Sequence, residues 1–160
     1  MDFYHVAQIC KNGHLVNSKF DTSPNLSQQY CSICGAQTIT ACPECGSPLH
    51  GEYEVDGIVA IGFQTNVDAY CYSCGKPYPW TKSALLSASA IIYEEENLSD
   101  ELKQSMVDSL EDIITETPNT TLASVRMKRC IHSAGKFTAD ALRQFVIDFG
   151  CDLVKKTLGL

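Results

Sequence analysis

Residues 31–46 read Cys31-Ser32-Ile33-Cys34-Gly35-Ala36-Gln37-Thr38-Ile39-Thr40-Ala41-Cys42-Pro43-Glu44-Cys45-Gly46. Two Cys-x2-Cys-Gly knuckles stand back to back in this stretch. Each presents two sulfurs on one tight turn. Two such turns close a tetrahedron of soft donors, the arrangement that Zn²⁺ prefers. Outward from here the pattern repeats. Cys10-x3-His14 precedes it, and Cys71-x2-Cys74-Gly75 follows it. The four pairs supply Cys10, His14, Cys31, Cys34, Cys42, Cys45, Cys71 and Cys74, enough for two Zn²⁺ ions per chain in closed, structural sites.

Sequential pairing puts Cys10, His14, Cys31 and Cys34 in one site and Cys42, Cys45, Cys71 and Cys74 in the other. Each site then spans one hairpin of a zinc ribbon. A crossed pairing, first knuckle with third and second with fourth, uses the same residues and stays open. A four-ligand site leaves no position for water or substrate, whereas catalytic zinc keeps one free. The metals are therefore read as folding the chain, because small ribbons bury too little apolar surface alone. A rubredoxin-like iron centre is the redox alternative, disfavoured by His14 in the first set. His5, in a strand pattern, and His50, alone after Pro48, read as structural or solvated.

The chain has 160 residues and a formal charge of −7. Nine cysteines in a secreted protein would suggest disulfides, but paired C-x2-C spacing points to metal in a reducing compartment. The start, MDFYHVAQIC, has no basic lead, apolar run or cleavage site, and no stretch approaches a membrane span. These features place the protein in the cytoplasm. Its acidity disfavours nucleic-acid binding by bulk electrostatics, since phosphate neutralisation needs Lys and Arg.

Composition changes near Tyr78-Pro79-Trp80-Thr81. The cysteine knuckles and most Gly and Pro lie before this seam; the segment after it reads helical. The expected architecture is a double zinc-ribbon domain over 1–80 and an α-helical bundle or hairpin domain over 81–160, α+β overall. In the first half, strands are expected at 3–9, along the arms of a hairpin at 15–30 with its tip at 22–25, and at 66–70. A second hairpin is expected at 52–55 and 58–63 around Asp56-Gly57. The stretch Lys76-Pro77-Tyr78-Pro79-Trp80 reads as an extended aromatic strap.

Four helices are expected in the second half. The first is capped by Thr81 and runs to about Glu95, where three acids oppose the helix dipole. The second is capped by Ser99, with a stripe of Leu102, Met106, Leu110, Ile113 and Ile114. The third opens at Thr117-Pro118, turns Leu122, Val125 and Ile131 inward, and closes at Gly135. The fourth is capped by Thr138. It carries two apolar stripes, Leu142/Phe145/Val146/Phe149/Leu153 and Ile147/Val154/Leu158, which suggest self-association or docking through the helical half.

Residues 94–116 are strongly acidic, and residues 126–160 carry a net positive charge. Complementary neighbouring helices explain this division; an anion-binding face at Arg126, Lys128, Arg129 and Lys136 is the sharper alternative. No residue reads as catalytic. Ser47 and Ser133 lack a nucleophile motif, and no phosphate loop, dinucleotide fingerprint or HExxH appears. Cys130 and Cys151 fall in helical patterns and read as inert thiols.

Several stretches resemble a bacterial family of uncharacterised double-zinc-ribbon proteins: Ile9-Cys10-x-Asn12-Gly13-His14, Tyr30-Cys31-x2-Cys34-Gly35-Ala36, Cys42-Pro43-x-Cys45, and Tyr70-Cys71-x2-Cys74-Gly75-x-Pro77-Tyr78-Pro79-Trp80-Thr81. Thr138-Ala139-Asp140-Ala141-Leu142-Arg143 and Lys155-Lys156-x-Leu158-Gly159 are similar to its helical tail. The resemblance covers nearly the whole chain. It implies a bacterial origin and zinc, and it brings no activity with it. On the residues, a non-enzymatic interaction module comes first. A nucleic-acid-associated protein using exposed Tyr53, Phe63 and Tyr72, or an enzyme acting through unrecognised residues, are the alternatives.

Overall fold

The computed structural model describes residues 1–59, 62 and 64–160. It has small antiparallel sheets in the N-terminal half and helices in the C-terminal half, an α+β chain. The described residues gather into two compact units, Met1–Lys82 and Ser83–Leu160.

In the first unit, β1 (Phe3–Val6) pairs antiparallel with β5 (His50–Glu54). Strand β2 (Gln8–Cys10) lies between β3 (Leu15–Asn17) and β4 (Thr38–Ile39). The single strand expected over 3–9 is thus two, and its halves join different sheets. Gly51 explains how closely β5 can lie. A Cβ there would fall 2.2 Å from the Ser18 carbonyl oxygen and 2.9 Å from that of His5.

The expected hairpin at 15–30 has only its first arm. A short 3₁₀ turn, Pro24–Leu26, forms the tip. Beyond it, the Gln8 side chain takes the place of a strand partner. Its Nε2 donates to the Gln28 carbonyl at 2.9 Å, and its Oε1 accepts from Gln28 N–H at 3.1 Å. With the backbone of residue 28 satisfied by a side chain, no ladder is needed there.

Asp56-Gly57 does form a turn, with Gly57 at φ 76°. However, β5 pairs with β1, and among the described residues no strand after the turn pairs with it. Residues 58 and 59 carry no strand; positions 60, 61 and 63, including Phe63, lie outside the described residues. Residues 66–70 form no strand beyond the single bridge Tyr70–Pro77.

The core of this unit is Ala7, Ile9, Leu49, Tyr78 and Trp80 packed with Cys42 and Cys71. Tyr78 and Trp80 stack at 4.8 Å, and Trp80 Nε1 donates to the Asp68 carbonyl at 2.9 Å. The strap ends early, because α1 (Pro79–Glu94) starts at its second proline. Proline suits the first helical position, where its missing N–H costs nothing. Thr81 is therefore a buried residue of the first turn, not a cap.

In the second unit, Ser99 caps α2 (Asp100–Val107) by accepting from Leu102 N–H at 3.3 Å. The expected long helix then breaks, and α3 (Leu110–Ile114) follows. The break centres on buried Ser109. Its hydroxyl donates to the Ser105 carbonyl at 2.8 Å and receives Arg126 Nη1 at 2.7 Å. Arg126 is thereby drawn inward and is no member of a free anion-binding face.

Helix α4 (Thr120–Ser133) touches α2, α3, α5 (Lys136–Phe149) and α6 (Asp152–Leu158). Its entry is tied by Thr117, whose N–H donates to Thr120 Oγ1 at 2.8 Å while its own Oγ1 accepts from Asn119 N–H at 3.0 Å. The inward face is Thr120, Ala123, Ser124, Met127 and Cys130. Leu122 and Val125, expected inside, are exposed, and Ile131 is half-buried. A helix with four neighbours turns its small residues inward so that backbones can approach. Ser124 remains satisfied by donating to the Thr120 carbonyl at 2.8 Å.

Gly135 does not close α4 in a left-handed conformation. With φ −61° it sits at the N-terminus of α5. Glu95 is aimed at that terminus. Its carboxylate accepts from Gly135 N–H at 3.1 Å, from Asn97 N–H at 2.9 Å and from Asn97 Nδ2 at 2.8 Å. Thr138 donates to the same carboxylate and caps nothing. An acid that would oppose the dipole of α1 thus lies at the favourable end of α5.

The Thr138 hydroxyl and the N–H groups of Asn97 and Gly135 hold Glu95 down to about 2, from an ordinary 4.5. A carboxyl with a depressed folded pKa stabilises the fold above its unfolded pKa, and this contribution fades as pH falls toward the folded value. Glu95→Gln is expected to lower the melting temperature of the helical transition at pH 7. Its curve should converge on the native one between pH 4.5 and about 2. Circular dichroism melts across that range check this.

The last expected helix is also two. Gly150 and Cys151 are extended, and Cys151 N–H donates to the Ile113 carbonyl at 2.9 Å. The break turns Val154 inward to full burial, and Leu158 is half-buried. The second apolar stripe is therefore not a continuous outer face. Among the described residues, no helix is long and apolar enough to cross a membrane.

Candidate metal centres

Three of the four knuckles are built alike. In each, the first Cys N–H donates to the carbonyl five residues on: Cys31 to Ala36, Cys42 to Ser47 and Cys71 to Lys76, at 2.8–2.9 Å. The Gly N–H returns to the first Cys carbonyl at 2.8–2.9 Å. These glycines, Gly35, Gly46 and Gly75, have φ of 73°, 76° and 69°. That left-handed turn suits glycine and aims the next N–H at the second sulfur of each knuckle. One antiparallel bridge closes each loop: Tyr30–Gln37, Ala41–Pro48 and Tyr70–Pro77. The first knuckle is tighter, with Cys10 N–H donating to the His14 carbonyl at 3.0 Å and His14 N–H pointing at Cys10 Sγ at 3.2 Å.

The knuckles meet in two groups. Cys10, His14, Cys31 and Cys34 form one; Cys42, Cys45, Cys71 and Cys74 form the other. Within each group the donor atoms lie within 4.8 Å of one another. The groups therefore follow the sequential order of the knuckles, not the crossed one.

The separations test the fit to a metal. Bonds of about 2.3 Å to sulfur and about 2.0–2.1 Å to nitrogen in a tetrahedron require edges of about 3.8 Å between sulfurs and about 3.6 Å between sulfur and nitrogen. Cys10–Cys34, Cys45–Cys71 and Cys42–Cys74 Sγ atoms are 3.7, 3.7 and 3.9 Å apart. His14 Nδ1 lies 3.4 Å from Cys10 Sγ and 3.7 Å from Cys31 Sγ. Disulfide sulfurs would be about 2.05 Å apart. Both groups could each hold a metal ion.

Electrostatics agree with this donor set. The Ala36 N–H beside Cys34 holds its thiol down to about 6, and Ser47, through hydroxyl and N–H, does the same for Cys45. At Cys74 the Lys76 N–H pulls downward, but burial and the sulfurs of Cys45, Cys71 and Cys42 outweigh it and push the thiol up to about 12. Cys34 in one group and Cys45 in the other are thus prepared as thiolates, and Cys74 resists a further negative charge beside Cys45. A bound cation relieves that repulsion.

Asn12 and Ser47 went unnoticed as parts of these centres. Asn12 Nδ2 points at Cys34 Sγ at 3.4 Å, and Ser47 Oγ lies 3.3 Å from Cys45 Sγ. Ser47 stands two residues after Cys45, whose sulfur it meets, and that spacing was the available signal; Asn12 meets a sulfur of another knuckle, which local spacing does not reveal. Metal ligands depend on such neighbours for orientation.

The competing histidines lie elsewhere. Buried His5 is held by Asp21 Oδ2 at 3.0 Å and Glu54 Oε2 at 2.7 Å. Burial works against its charge, but the two carboxylates outweigh burial and raise its pKa. His50 is half-buried and belongs to neither donor group; it is stacked between Tyr4 and Tyr72. Cys130 is buried in α4, and burial pushes its thiol up to about 11. Cys151 precedes α6. Neither has a place in the two groups. Lys128, Arg129 and Lys136 are exposed on the helical unit.

His14→Ala is expected to weaken the first centre less than Cys31→Ala does. Water can take an imidazole's place, while loss of a thiolate also removes charge. Competition with a chromophoric chelator should rank the release rates as native slowest, His14→Ala next and Cys31→Ala fastest.

Residues 3–158 match the model of a bacterial family described as "Uncharacterized protein conserved in bacteria (DUF2321)", and the chain belongs to that family. No curated protein and no solved structure matches it.

Proposed function

We propose that this protein binds two zinc ions in closed structural centres and serves as a non-enzymatic interaction module. The ligands in this reading are Cys10, His14, Cys31 and Cys34 for one ion, and Cys42, Cys45, Cys71 and Cys74 for the other. The supporting observation is that each group's donors lie within 4.8 Å of one another, and five of the separations, at 3.4–3.9 Å, are close to the edges of a zinc tetrahedron. Four protein donors per ion leave no position for a substrate, so the metal acts on folding rather than chemistry.

The chain works in this reading as two domains, 1–80 carrying the metals and 81–160 carrying the helices. The clustered thiols need a reducing compartment to stay free of disulfides, which supports a cytoplasmic location. The partner is a protein or a second copy. Apolar side chains left in solvent on the helical unit, Leu122, Val125, Phe137 and Ile147, support docking there.

Cobalt substitution tests the ligand assignment. Cobalt-loaded protein should show thiolate charge-transfer absorption for two tetrahedral sites. Cys34→Ala should remove one site's share and Cys74→Ala the other's. A double variant, Cys34→Ala with Cys74→Ala, that keeps one site's absorption would overturn the sequential assignment.

A further inference from the structure

Outside the metal centres, the first unit carries an exposed ladder of aromatic rings. Tyr72, from the fourth knuckle, stacks on His50 with centroids 4.0 Å apart and planes 7° from parallel. His50 stacks on Tyr4 at 4.1 Å and 15°, and Tyr4 meets Tyr53 at 4.7 Å. Tyr72, Tyr4 and Tyr53 are 55%, 51% and 47% exposed, so roughly half of each is left in water. His50 Nδ1 contacts Asp68 Oδ2 at 3.2 Å, which fixes the plane of the central ring. The ladder is rigid, aromatic and only half covered.

Tyr4, His50 and Tyr53 also line a cleft of about 990 Å³. Its charged side chains are Glu52, Glu54, Asp56 and Asp68 against Lys19, and the Met1 ammonium pairs with Asp56 at 3.1 Å. Lys19 is shared between Glu52 at 3.1 Å and Glu54 at 3.6 Å. Carboxylate therefore exceeds ammonium, and the cleft favours a cation.

We propose that this acidic, aromatic-walled cleft docks an arginine-bearing extended segment of a partner protein. A guanidinium is planar and weakly hydrated. It stacks on a tyrosine face and pairs with a carboxylate through parallel N–H groups, whereas an ammonium does neither as well. Nucleic acid could use the ring faces, but its phosphates would meet the excess carboxylates. The inference rests on the interaction-module reading and names its partner's chemistry. Tyr72 is carried by a metal-binding knuckle, so the zinc-loaded full chain is the protein to test.

The probe is acetyl-Gly-Arg-Gly-Arg-Gly-amide, titrated at low salt while ring and amide NMR signals are followed. Analogues with Lys or Gln in place of Arg, and a thymidine oligonucleotide, are titrated alongside. The Arg peptide is expected to move the Tyr4, His50 and Tyr53 signals saturably, and the Lys peptide to bind more weakly. Tyr4→Leu with Tyr53→Leu should weaken the Arg peptide about tenfold, the scale of a lost cation–π contact. Asp68→Asn, which leaves both tyrosines in place, should also weaken it.

Equal binding by the Gln peptide, indifference to the tyrosine variants, or tighter binding by the oligonucleotide would overturn the proposal. Ladder signals that shift on dilution without peptide would assign the cleft to a second copy instead. Zinc content is measured on the same samples. A native chain with two zinc ions and no peptide binding defeats the docking proposal alone; a native chain without zinc defeats the metal reading itself.

Discussion

Cys42→Ser is expected to unfold the second ribbon. Cys42 is 4% exposed and belongs at once to a donor group and to the core with Ala7, Leu49, Tyr78 and Trp80. The strands around it are two to five residues long, too short to hold a fold by pairing alone. Binding of a structural zinc is worth about 10–16 kcal/mol in small peptides at pH 7, comparable with the whole stability of a domain. Removing one thiolate leaves three donors and a smaller charge to hold the ion. Amide spectra of the variant should lose the dispersed signals of the second ribbon, which carries Cys42, Cys45, Cys71 and Cys74, while helical ellipticity and the first centre's zinc persist. A fully dispersed Cys42→Ser spectrum with one zinc ion would show that the hydrophobic cluster suffices without the second centre.

Val154→Asp is expected to abolish the cooperative melt of the helical unit. Val154 is fully buried in α6, against α4. A carboxylate there has no cationic partner in the core, and an unpaired buried charge costs about 3–5 kcal/mol. A unit of this size has about 4–12 kcal/mol to lose. The ribbon signals and two zinc ions should remain. A variant that keeps its melt but changes its molecular weight in light scattering would place Val154 at an interface between copies.

Much of the cysteine-rich half was legible because its order is local. C-x2-C-G dictates one turn with one glycine in one conformation, and three copies of it stand in the sequence. The same locality makes Ser47 readable, two residues from the sulfur it meets, but not Asn12, whose partner Cys34 belongs to another knuckle. Strand pairing was less legible. The pairing of β1 with β5 brings together segments almost fifty residues apart, and nothing short-range distinguishes it from a hairpin closing at Asp56-Gly57. At Gln28, a single side-chain amide replaced a strand.

The helical half was legible in class and misread in detail for one reason. Periodicity records which face is apolar, not how many neighbours a helix has. Helix α4 contacts four others, so Ala123, Ser124 and Cys130 face inward and Leu122 and Val125 stay outside. The breaks at Ser109 and at Gly150-Cys151 come from tertiary hydrogen bonds, to Arg126 and to Ile113, that no window of sequence contains. Glu95 is the clearest case. Read along α1 it opposes a dipole; in the fold its carboxylate receives the Gly135 N–H at the start of α5 and the Thr138 hydroxyl.

Elemental analysis of the native protein, purified without chelator and referred to an amino-acid count of the same sample, tests the central claim most directly. Two zinc ions per chain are the predicted result. One zinc ion or none would contradict the account.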